Sequence, residues 1–104
     1  MAVGESLVGS VRSLLERAKK VHIEYERDVL GGAYDEEWPR WYAAYLIENG
    51  LPELLVPENK SSLDVERLAA LLAGVDVAHR ANAPESDWMV YYARYLIEVT
   101  ADKR

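Results

Sequence analysis

A chain of 104 residues is long enough for one core and too short for two. Twelve basic against 18 acidic residues leave a net charge of −6, which argues against a phosphate-backbone partner, since nucleic-acid affinity comes largely from Lys and Arg. No Cys is present, which excludes disulfides and thiolate chemistry and fits a reducing compartment.

The first segment, about Ser6 to Leu30, reads as an amphipathic helix. Leu7, Val11, Leu14, Leu15, Ala18, Val21, His22, Tyr25 and Val29 recur at helical spacing, and Gly31-Gly32 is a stop. No basic segment precedes an apolar run here, so no secretory leader is expected. The second segment is expected to start near Asp35 as N-cap, with Pro39 in the first turn, and to end at Asn49-Gly50. Residues 51–60 form a connector in which LPELL can make one short turn. The third segment opens with Ser61-Ser62-Leu63-Asp64, which matches a capping box with Asp at N3. Its stripe is Leu68, Leu71, Leu72, Val75, Ala78 and His79, and it ends around Asn82, before Pro84. The fourth runs from Ser86 or Asp87 to about Ala101, with residues 102–104 expected to fray. No segment alternates with period two, and no apolar run approaches the roughly 18–20 residues a membrane span needs.

The chain repeats itself. Residues 38–48, WPRWYAAYLIE, and 88–98, WMVYYARYLIE, are identical at seven of eleven positions, with Trp41 against Tyr91 at an eighth. An offset of 57 also superposes the first helix on the third: Val11 meets Leu68, Leu14 meets Leu71, Leu15 meets Leu72, Ala18 meets Val75, and His22 meets His79. These patterns predict an all-α fold, a four-helix bundle built from two repeated helical hairpins. Residues 1–104 then form one domain, with repeat 1 at about 6–50, the connector at 51–60 and repeat 2 at about 61–101. The fourth helix is apolar nearly all round, with only Asp87, Arg94 and Glu98 as a polar strip, so a homo-oligomer is expected, most simply a dimer.

Three Trp and seven Tyr accompany no Phe, so every large ring carries a polar handle that wants a partner when buried. The two copies pair His22 with His79, Trp38 with Trp88, Tyr42 with Tyr92 and Tyr45 with Tyr95, and these eight are the candidate ligand-binding residues. The plain reading is core packing; the functional one is a pair of His lining a polar pocket ringed by Tyr. Glu26 and Asp76 lie at helical spacing from His22 and His79, but neither His-x-x-Glu-His nor paired Glu-x-x-His spacing occurs, so no metal or other cofactor is expected. Glu48 and Glu98 fall on the polar strip and read as solvated or paired with Arg40 or Arg94. No Gly-rich phosphate loop and no Ser elbow is present, and no catalytic residue is assigned.

The run HIEYE…DEEWPRWYAAYLIENGL, through His22, Tyr25, Glu26, Glu37, Trp38, Pro39, Trp41, Tyr42, Ala43 and Tyr45, resembles a pattern in small uncharacterised bacterial helical proteins. The likeness covers about residues 20–51 and, more loosely, 79–98, where Met89 replaces the Pro and Tyr91 the second Trp. It implies a cytoplasmic bacterial setting and no particular chemistry. The expected function is a binding or interaction module that presents Trp and Tyr to a protein or small-molecule partner. The alternatives are a small His-centred enzyme, metal-dependent or not, with its pocket at His22 and His79, and a structural or regulatory subunit.

Overall fold

The computed structural model describes residues 3–101, with side chains described from residue 6 onward. The expectation that residues 102–104 fray lies outside the described residues. Five α-helices and one 3-10 turn make up the described chain, with no strand among the described residues. None of these helices is long and apolar enough to cross a membrane.

Helix α1 spans Val3–Asp28. It ends two residues before the expected Leu30, because the amides of Val29 and Leu30 both turn back to the Tyr25 carbonyl. Gly31 and Gly32 follow at φ 64° and 88°, a left-handed region that costs a residue without Cβ little. Val11, Leu14, Leu15 and Ala18 are fully buried and His22 nearly so. Val21 and Val29 depart from the expected stripe, at 39% and 65% exposed. Val21 sits at the edge of the apolar arc, and Val29 lies beyond the helix end, where helical spacing no longer sets its direction.

Helix α2 spans Trp38–Glu48 and starts later than expected. Asp35 is not its N-cap; that position falls to Glu37, which makes no side-chain cap bond. The Asp35 carboxylate instead accepts the Glu37 amide at 2.9 Å and binds His22. Pro39 occupies the first turn, where no amide is needed. The helix stops at Asn49 and Gly50, the latter at φ 103°.

Helix α3, Leu51–Leu55, is the short turn anticipated in LPELL, and it buries Leu51 and Pro52. A 3-10 turn at Lys60–Ser62 leads to helix α4, Val65–Asn82. The capping box expected at Ser61 does not form. Asp64 is itself the N-cap and accepts the Arg67 amide at 2.9 Å. Leu63, 1% exposed, seals the core immediately before that cap, so the helix starts only after it.

Helix α5 spans Trp88–Ala101, with the Asp87 carboxylate accepting the Met89 amide at 3.0 Å. Arg12 of α1 also holds Asp87, at 3.0 and 3.2 Å, and these bonds draw the Asp87 carboxyl below its usual range. Glu48 and Glu98 are exposed, while Arg40 pairs with Glu66.

The largest packing surfaces run between the two halves of the sequence rather than within them: α2 lies mainly on α4, and α1 mainly on α5. The same positions of the two aromatic helices are buried, Tyr42, Ala43 and Leu46 in α2 and Tyr92, Ala93 and Leu96 in α5. The apolar back of α5 is covered within the chain, partly by α3, so that only Arg94, Glu98 and the terminal Ala101 are exposed along it.

The cap assignment has a direct test. Asp64→Ala should cost about 1 kcal/mol of stability, whereas Ser61→Ala should cost almost nothing, as read by urea denaturation. The reverse order would return the helix start to Ser61.

Candidate functional site

The last turns of α1 and α4 and the first turns of α2 and α5 converge on an open cleft of about 350 Å³. α1 contributes His22 and Glu26, four residues apart on one helical face; α4 contributes Asp76 and His79, three apart. Trp38 and Tyr42 enter from α2, and Trp88 and Tyr92 from α5, each pair at i, i+4. Tyr34, 71% exposed, forms part of the rim.

Six of the eight candidate residues therefore share one cleft: His22, His79, Trp38, Trp88, Tyr42 and Tyr92. Tyr45 and Tyr95 do not line it. One turn further along their helices, Tyr45 stacks on Trp41 with ring centroids 5.5 Å apart, and Tyr95 sets its hydroxyl against Gly74 of α4. A three-residue step advances a side chain by about 4.5 Å along the axis, which carries both past the cleft.

The two imidazoles are held through the same nitrogen by different partners. His22 Nε2 lies 2.9 Å from Asp35 Oδ2, with both residues buried. His79 Nε2 lies 3.1 Å from the Ser86 carbonyl. A carbonyl only accepts, so the proton of His79 sits on Nε2, and the neutral His22 ring likewise donates Nε2–H to the carboxylate. In each neutral ring Nδ1 keeps its lone pair and makes no hydrogen bond within the protein. No buried side-chain nitrogen or oxygen lacks a partner among the described residues, so both Nδ1 atoms are within reach of solvent or ligand.

Asp35 is fixed in turn. Its second oxygen takes the Glu37 amide, and its own amide donates to Glu26 Oε2 at 3.3 Å. Thus the loop between α1 and α2 is tied to α1 by two side chains. Sequence reasoning missed Asp35 as a site residue because a polar residue before a helix reads first as a cap; Tyr34 carries no signal beyond being aromatic in a loop.

The rings around the cleft stand mostly at right angles. Tyr42 meets Trp38 at 5.8 Å and 89°, and Trp88 at 6.3 Å and 78°; Trp88 meets Tyr92 at 4.9 Å and 71°. The ring contacts of the His recur in both halves. His22 lies 4.7 Å from Trp41 and 5.0 Å from Tyr42, and His79 lies 5.1 Å from Tyr91 and 6.3 Å from Tyr92.

The hydroxyls differ. Tyr92 donates to Asp76 Oδ1 at 3.0 Å, while the other Asp76 oxygen takes Arg80. Tyr42 is only 9% exposed overall and makes no hydrogen bond, and since no buried side-chain oxygen among the described residues lacks a partner, its hydroxyl is the part of the residue within reach of solvent or ligand. Burial, with a smaller contribution from the Glu26 charge, pushes the Tyr42 hydroxyl up to about 12. Burial and the bond to Asp76 push Tyr92 up as well. No group of three or more His, Cys, Asp or Glu side chains suited to a metal ion gathers among the described residues.

These two hydroxyls set an alkaline limit. Unfolded Tyr loses its proton near pH 10, whereas folded Tyr42 holds it to about 12, so between those values the unfolded state binds fewer protons and stability falls as pH rises. Thermal unfolding followed above pH ~10 should show this decline. Tyr42→Phe should flatten it, and an unchanged slope in that variant would contradict the assignment.

Compared with protein-family models, with curated proteins and with solved structures, the chain matches none.

Proposed function

We propose that this chain is a small helical binding module whose site is the cleft between the ends of α1, α2, α4 and α5. One observation carries the reading. Among the residues lining the cleft, Tyr42 Oη and two imidazole Nδ1 atoms make no hydrogen bond within the protein, and both halves of the sequence contribute rings to that place. Ligand sites typically combine apolar walls with a few convergent polar groups, and these accessible atoms stand among such walls.

The proposal includes the architecture behind the site: a duplicated helix–loop–helix, four long helices in a bundle, with α3 as an addition in the connector. The recurring His, Trp and Tyr contacts support it. It also includes the bacterial, cytoplasmic setting implied by the resemblance of residues 20–51.

A His-centred enzyme is the second reading. The buried Asp35–His22 pair favours it, since a carboxylate that orients an imidazole is a recurring part of acid–base chemistry. No Ser or Thr hydroxyl bonds either imidazole among the described residues, so this second reading carries no hydroxyl nucleophile.

Homodimerisation is a separate proposal. Since no large apolar side chain of α5 is exposed, association has to engage half-buried ones. Light scattering at micromolar protein should give twice 11.8 kDa, and a mass near 11.8 kDa removes the dimer.

The site itself is tested by NMR. The three indole N–H signals divide into two from the cleft, Trp38 and Trp88, and one from Trp41, which packs on His22 but does not line it. A screen of small amines, acids, sugars and heteroaromatic compounds should yield members that saturably shift Trp38 and Trp88 more than Trp41. Equal shifts at all three, or none, would overturn the site.

A further inference from the structure

We propose that the cleft takes a small alkylammonium ion, boxed by the rings of Trp38, Trp88 and Tyr42, with Glu26 as its counter-charge and the two imidazole Nδ1 atoms accepting its N–H groups. This rests on the binding reading above and names the class of ligand.

The wall geometry suits a box. Tyr42 stands near-perpendicular to both Trp38 and Trp88, so its ring closes a side that the two indoles leave open. Perpendicular rings enclose a compact group on several sides, and the negative faces of aromatic rings attract cations without requiring them to be planar. A volume of about 350 Å³ accommodates an ammonium head with a chain of several carbons.

Charge selects the sign. Asp76 is already paired with Arg80, whereas Glu26 forms no ion pair among the described residues, its one bond coming from the Asp35 amide. The helix dipoles largely offset one another, because the C-terminal ends of α1 and α4 meet the N-terminal ends of α2 and α5. The side-chain carboxylates therefore decide, and a net charge of −6 draws cations toward the surface.

Hydrogen bonding selects the donor pattern. With Nε2–H of His22 given to Asp35 and that of His79 to Ser86, each neutral ring offers only an acceptor, as does Glu26. The hydroxyl of Tyr42, 9% exposed and unpartnered, adds a further acceptor. A ligand bearing N–H donors and positive charge satisfies these groups; an anion or a carbonyl compound does not.

The test uses the full chain, labelled with nitrogen-15, and three probes at fixed ionic strength. n-Butylammonium should shift the Trp38 and Trp88 indole signals saturably, and n-butanol, of the same carbon count without charge, should bind at least about tenfold more weakly. Tetramethylammonium, charged but lacking N–H, should bind several-fold more weakly than butylammonium; equal affinity would remove the acceptor role of the two His. Glu26→Gln keeps an oxygen for the Asp35 amide and should weaken butylammonium about fivefold or more while the Trp41 signal stays in place. Added salt on the unaltered protein gives a second readout, weakening butylammonium but not butanol. If butanol binds as tightly as butylammonium, the cation assignment fails and the binding site stands. If neither probe nor any screened compound moves Trp38 and Trp88, both fail.

Discussion

Two helices that are apolar on nearly every side have to be covered on nearly every side, and this requirement organises the molecule. Neither α2 nor α5 can be satisfied by the single long helix that precedes it in sequence. Each takes the long helix of the other half as its main partner, α4 for α2 and α1 for α5, with its own as a lesser one. The exchange buries Leu46 and Leu96 completely and closes one core around both. Helix α3 then adds cover for α5, so the large apolar side chains of that helix are buried or half-buried within the chain.

The same exchange creates the cleft. Because α1 and α4 point their C-terminal ends to where α2 and α5 begin, residues from all four arrive together: the imidazoles from late in the long helices, the indoles from the first position of the aromatic ones. Tyr92 finds Asp76, Asp76 finds Arg80, His22 finds Asp35, and His79 finds a carbonyl. Among the residues lining the cleft, the Tyr42 hydroxyl and two Nδ1 lone pairs make no bond within the protein, and the Glu26 carboxylate has no ion pair among the described residues. These accessible polar atoms stand among aromatic rings at one opening.

The two halves are alike in rings and unlike in polar chemistry. His22 is oriented by a carboxylate and His79 by a backbone carbonyl, and the free Glu26 on one side faces the Arg-paired Asp76 on the other. Similar rings from the two halves of the sequence thus line a cleft with an asymmetric set of charges.

Helical periodicity, glycine stops and the eleven-residue repeat were enough to read the helical class, the approximate ends of every long helix and most of the core from the amino acids alone, because these depend on local spacing and on backbone preferences of single residues. The repeat also singled out His22, His79, Trp38, Trp88, Tyr42 and Tyr92, and the fold places these six around one cleft. Tyr45 and Tyr95 look equivalent to them on a helical wheel, which records direction around the axis but not position along it. Asp35 read as a helix cap and Ser61 as another, since both have the right local chemistry. Only the folded chain brings the buried His22 imidazole against Asp35 and drives Leu63 into the core ahead of Asp64. Which helix each aromatic face met, and therefore which polar atoms were left open in the cleft, depended on contacts between residues far apart in the chain, and no local pattern encodes those.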